Sequence, residues 1–149
     1  PRYVNEEPDY VGGFERADIE GLLETMDRNY IGWANYLAPA IMKNPGRPEL
    51  GEELTESFCS TDPVVARRFA EATFYADNRS DLARVRVPSL VLQCSDDIIA
   101  PLPVGEYVHR HTPGSTLRIM QATGHCPHMS APEDTIALMG EYLRGERSD

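Results

Sequence analysis

Apolar positions recur at helical spacing through the first half of the chain and at strand spacing only in the second. Ile19, Leu22, Leu23, Met26 and Tyr30 follow Phe14 at helical intervals, with Glu15, Asp18 and Glu20 in or near the first turn. A second helix is expected from Ile31. Ile31, Ala34, Leu37 and Ile41 mark one face, with Trp33 and Tyr36 beside it. The cluster Asn44-Pro45-Gly46-Arg47-Pro48 ends it, because proline and glycine interrupt regular backbone. A third, less apolar helix is expected from about Glu49 to Phe58. Asp62-Pro63 opens a fourth, with Asp62 as N-cap and Pro63 at the first helical position. Val65, Phe69, Ala72 and Tyr75 carry the expected face of this fourth helix. Residues 1–13, rich in Pro, Asp, Glu and Gly, read as a loop or linker.

The second half alternates. Leu90-Val91-Leu92 is a strand core, and Tyr107-Val108-His109 lies on a helix. Thr116 to Met120 is a second strand. Ile136, Met139 and Leu143 stand at helical spacing in a last helix, with Ser130 and Glu133 spaced for a capping box. Strand, helix, strand, helix is a parallel α/β unit. The strand Leu90-Val91-Leu92-Gln93-Cys94 is apolar on both faces, as in a sheet covered on both sides. Two strands do not make such a sheet. The chain therefore reads as the C-terminal part of a larger α/β protein: a linker from a missing core over 1–13, a helical segment over 14–78, which the resemblance given below makes the lid or cap, and core over 79–149.

The sequence has 149 residues and a hydrophobic share of 41%, enough for one core. A net charge of −10 disfavours a nucleic-acid partner. No stretch is long and apolar enough to cross a membrane, and no secretory signal is seen. Three unpaired-looking cysteines, Cys59, Cys94 and Cys126, suit a reducing compartment. The expected location is cytoplasmic.

Two strand ends carry the candidate chemistry. The first strand runs into Asp96-Asp97. The second runs into Thr123-Gly124-His125-Cys126-Pro127-His128-Met129. An acid at one strand end and a later histidine at another match the last two members of a Ser…Asp…His order. The histidine exchanges a proton near neutral pH, and a buried carboxylate fixes its tautomer. Asp96 and Asp97 compete for the acid role. No Gly-x-Ser-x-Gly is present, so the nucleophile is missing. Zinc binding through His125, Cys126 and His128 is the alternative chemistry, although neither a CxxC pair nor HExxH occurs. The aromatics Phe14, Trp33, Tyr36, Phe58, Phe74 and Tyr75 suit either core packing or the lining of an apolar ligand cavity.

Five segments carry a family resemblance: Asn29 to Ala34, Phe58 to Pro63, Val87 to Cys94, Asp96 to Pro101, and Gly124 to Ser130. They resemble RsbQ-type α/β hydrolases, regulators of the bacterial general stress response. The plant karrikin and strigolactone receptors are more distant relatives. The resemblance covers the C-terminal half of that family. It implies the α/β-hydrolase fold, with a four-helix lid plus the last two parallel strands and their helices. It places the acid on Asp97 and the base on His125, and it puts Phe14, Trp33, Leu37, Phe58 and Phe74 on a hydrophobic pocket. The implied activity is Ser-His-Asp hydrolysis of a small hydrophobic ester or lactone, with no cofactor and no metal. The implied signalling role is sigma-factor activation through a PAS-domain protein phosphatase. The serine would stand upstream, on a missing N-terminal half, so this stretch alone is expected to be inactive. A non-catalytic ligand-binding signalling module is the alternative function.

Overall fold

A computed structural model describes residues 1–145. Four helices, α1 (Arg16–Arg28), α2 (Tyr30–Met42), α3 (Pro48–Cys59) and α4 (Pro63–Phe74), precede a short α5 (Arg79–Leu82). Then come β1 (Ser89–Asp96), α6 (Leu102–His111), β2 (Ser115–Thr123), α7 (Pro127–Ser130) and α8 (Pro132–Arg144). The last four residues of the expected 79–149 core segment lie outside the described residues.

The boundary between α1 and α2 falls at Asn29, one residue earlier than the apolar pattern suggests. The Asn29 side chain accepts the Gly32 amide and caps α2, so Tyr30 begins α2 rather than ending α1. Asp62 caps α4 as expected, accepting the amides of Val64 and Val65. Residues 1–13 form a loop pinned by bridges between Arg2 and Asp77 and between Val4 and Phe14.

One apolar cluster joins the four helices. Ile19, Leu23 and Met26 of α1 meet Trp33, Ala34 and Leu37 of α2 and Ala70 of α4. Three expected faces are turned differently. Ile31 is exposed, and α2 buries Trp33, Ala34, Leu37, Ala38 and Met42 instead. On α4 the large side chains of Val65 and Phe69 are exposed, Phe69 by 72%. The small residues Ala66 and Ala70 pack inward, with Phe74 beside them, because short side chains let α4 approach α1 closely. On α8, Ile136, Met139 and Leu143 are exposed, while Thr135 is buried and Leu138 packs on the sheet. The Ser130–Glu133 capping box does not form. Ser130 ends α7, where its hydroxyl donates to the Cys126 and Thr123 carbonyls, and Ala131, which has no capping side chain, is the N-cap of α8.

β1 and β2 pair in parallel from Ser89–Ser115 to Asp96–Thr123, with an irregularity after Cys94. The connection through α6 makes them one β-α-β unit. Cys94, Met120 and Ala122 form a second small core beneath α8. The C-terminal ends of both strands point at the helical layer, and the loops there carry the site.

Candidate active site

β1 ends at Asp96, and the chain turns at once. Asp97 makes that turn: its Oδ1 accepts the amides of Ile99 at 2.8 Å and Ala100 at 3.1 Å. This fixes the carboxylate and leaves Oδ2 facing β2. There the His125 Nδ1 stands 2.8 Å away. The Asp97 side chain is only 5% exposed, whereas His125 is reached by solvent. Burial alone would push the Asp97 carboxyl upward. The hydrogen bonds from His125 and from the Ala100 and Ile99 amides outweigh it and hold the group below its ordinary value. An ionised Asp97 requires the Nδ1 proton on His125, which leaves Nε2 as an acceptor toward solvent.

Asp96, the competing acid, points away and pairs with Lys43. The two adjacent carboxylates separate because β1 ends at Asp96 and the turn begins at Asp97: one reaches His125 and the other the surface.

Gly124 makes the approach to His125 possible. Its φ is +90°, and a Cβ there would fall 2.1 Å from the Met42 carbonyl oxygen. Only glycine fits both demands. The loop is thereby pressed against the end of α2, where the His125 amide donates to the Ile41 carbonyl at 2.9 Å.

Trp33, Leu37, Phe58 and Phe74 line one cavity of about 400 Å³. Trp33 lies 5.4 Å from Phe58 and 5.7 Å from Tyr30, centroid to centroid. The Trp33 Nε1–H is buried and has no hydrogen-bond partner among the described residues. The Tyr30 hydroxyl, in contrast, donates to the Phe58 carbonyl at 2.5 Å. A neighbouring hollow of about 440 Å³ is lined by His125, Tyr3, Ile99 and Val104. Phe69 and Thr73 line both spaces, so His125 and the aromatic cavity lie on either side of the same two residues. Phe14 is the exception among the five pocket candidates. It lines a separate hollow between α1 and α2, because the Val4–Phe14 bridge draws its ring against Tyr3.

The histidine–cysteine alternative finds no geometry. Among the described residues, no three His, Cys, Asp or Glu side chains are arranged to hold a metal ion. His128 is exposed and Cys126 is the N-cap of α7. Burial pushes the Cys94 thiol up to about 11 and the Cys126 thiol upward too, which disfavours either as a nucleophile. His109 meets the Ser115 hydroxyl at 2.9 Å, and His111 stacks on Tyr107.

Sequence reasoning missed three contributors. Lys43 and Asn44 sat in a stretch legible only as a helix stop. Tyr3 sat in a stretch legible only as a loop, yet it lies close enough to Asp97 that burial and this charge raise its phenol.

A parallel strand pair with an acid after one strand and a histidine after the next, roofed by four helices, is the C-terminal portion of the α/β-hydrolase fold. No protein-family model matches the chain. By sequence it is 35% identical over 144 residues to karrikin insensitive 2 receptor IA of Petunia hybrida, covering 96% of this chain and 52% of that protein. It is 33% identical over 145 residues to strigolactone esterase D14 of Arabidopsis thaliana, covering 97% and 52%. A solved hydrolase from Oleispira antarctica is 47% identical with a TM-score of 0.93, covering 97% of this chain and 53% of that one. The chain thus spans about half the length of the relatives it matches. Its likeness is to hydrolases and ligand receptors of the α/β-hydrolase fold.

Proposed function

We propose that the complete protein is a serine hydrolase acting on a small hydrophobic ester or lactone. His125 takes the proton of a serine supplied from outside these residues, and Asp97 holds His125 in the required tautomer. The observation that carries this reading is the 2.8 Å contact between the His125 Nδ1 and a buried, doubly amide-bound Asp97. The esterase and receptor relatives support the substrate class. So does the cavity lined by Trp33, Leu37, Phe58 and Phe74, whose aromatic and aliphatic walls suit an apolar ligand. The exposed apolar faces of α4 and α8 are where the remaining strands and the nucleophile-bearing loop would pack. Without that part, the 1–149 stretch has an acid and a base and nothing to attack with. In the full gene product, His125→Ala should reduce turnover of 4-nitrophenyl acetate by at least about 10³-fold. Turnover within threefold of wild type would sink the assignment.

A regulatory reading rests on the RsbQ-type motifs and on the receptor among the relatives. In it the liganded protein, in the cytoplasm, engages a PAS-domain phosphatase that controls a sigma factor. Co-purification with such a phosphatase, lost in His125→Ala, would tie signalling to hydrolysis. A normal interaction in that variant would assign the signal to ligand binding alone.

A further inference from the structure

The segment joining α2 to α3 touches the loops of both dyad members, although the proposed chemistry makes no use of it. Lys43 pairs with Asp96, the residue before Asp97. The Asn44 side-chain amide donates to the Thr123 carbonyl at 3.0 Å, two residues before His125, and also to the Met42 carbonyl. Arg47 donates to the Ser130 carbonyl at 2.8 Å, beyond His125. A helix end leaves its last carbonyls without partners. At the end of α2, one of these, Ile41, is satisfied by the amide of His125 itself.

We propose that Asn44 and Lys43 are positioning residues that fix His125 and Asp97 against the end of α2. This rests on the reading of His125 as base. The same helix contributes Trp33, Leu37 and Ile41 to the aromatic cavity, so one rigid element meets both the ligand space and the dyad. Asn44 suits the task because one amide group closes two carbonyls, one on the helix and one on the catalytic loop. Lys43 suits it because its residue is the left-handed C-cap of α2, with φ 48°, which turns the side chain toward β1. The Lys43–Asp96 pair is open to solvent, so its loss should change melting little while loosening the Asp97 turn.

The test is the low-field proton resonance of the His125 Nδ1–H donated to Asp97, recorded on the protein as the gene encodes it. Asn44→Asp is nearly isosteric and removes the donor. Lys43→Met keeps length and removes the charge. Both should broaden or shift this resonance, whereas Lys43→Arg should preserve it. Asn35→Asp, on the same helix but bonded back to Ile31, should leave it unchanged. In parallel, kcat for 4-nitrophenyl acetate should fall roughly tenfold with KM nearly constant. If Asn44→Asp does not fold, Lys43→Met at the surface decides alone. An unchanged resonance in the folded variants overturns the proposal, as does its absence from the wild type. A wild type that shows the resonance but no turnover refutes the hydrolase reading instead, and loss of the signal in the variants would still support the positioning role of Asn44 and Lys43.

Discussion

Asp97→Asn separates the architecture of the dyad from its chemistry. The amide oxygen can keep the position of Oδ1 and continue to accept the Ile99 and Ala100 amides. The amide nitrogen then occupies the Oδ2 position, 2.8 Å from the His125 Nδ1, and presents a donor where an acceptor stood. Two donors cannot face each other, so His125 must give up its Nδ1 proton and carry it on Nε2. In that tautomer Nε2 is a donor and does not take a proton from serine. In serine proteases the same exchange lowers turnover about 10⁴-fold. The structural cost is the charge on three hydrogen bonds that persist, less than the loss of one charge-assisted bond outright, about 1.5–3 kcal/mol. The expected outcome is a folded protein with a modestly lower Tm and turnover of 4-nitrophenyl acetate reduced by roughly 10³–10⁴-fold. Calorimetry and initial rates on the full gene product measure the two effects. Turnover within tenfold of wild type would refute the orienting role of Asp97, whatever happened to Tm.

Other expectations follow from single contacts. Gly124→Ala forces a side chain into a φ of +90° and against the Met42 carbonyl; the backbone conformation alone costs about 1–3 kcal/mol, which thermal melting should register. Tyr30→Phe removes the bond to the Phe58 carbonyl, which keeps the Thr61 amide as donor, and should cost about 1 kcal/mol or less by denaturant titration. Asp97 and Asp77 both have folded values below the ordinary aspartate value, with Asp77 brought to about 2 by Arg79. Their contribution to stability should be full above about pH 4 and lost as pH falls through the lower folded values, which melting from pH 6 to pH 2 would trace. The Cys94 thiol, buried and pushed up to about 11, should react with a thiol reagent at pH 8 only after unfolding, and rapid native labelling at Cys94 would contradict its placement.

Much of this was legible in the sequence, and the failures share a cause. The β-α-β unit and the four helices were readable because their apolar spacing and caps are local signals, such as Asp62-Pro63 before α4. The strand-end Asp and Gly-His were readable because each ends an apolar run. The expected apolar faces of α4 and α8 are exposed within this stretch, because each helix is apolar on more than one side. Periodicity weighs large residues, so it favoured Phe69 and Ile136, whereas close packing selected Ala66, Ala70 and Thr135. Which of Asp96 and Asp97 serves His125 depends on the turn after β1, and residue spacing alone left both open. Lys43 and Asn44 escaped notice because their partners, Asp96 and Thr123, lie 53 and 79 positions away. Phe14 was assigned to the shared pocket, but a bridge to Val4 that no local pattern reveals draws it into its own hollow.

The most direct test of the account is covalent labelling of the full gene product with a fluorophosphonate, followed by peptide mapping. The account predicts a single adduct on a serine preceding Pro1, abolished in His125→Ala. No adduct on a folded protein, or an adduct on a residue of the 1–149 stretch, would contradict it.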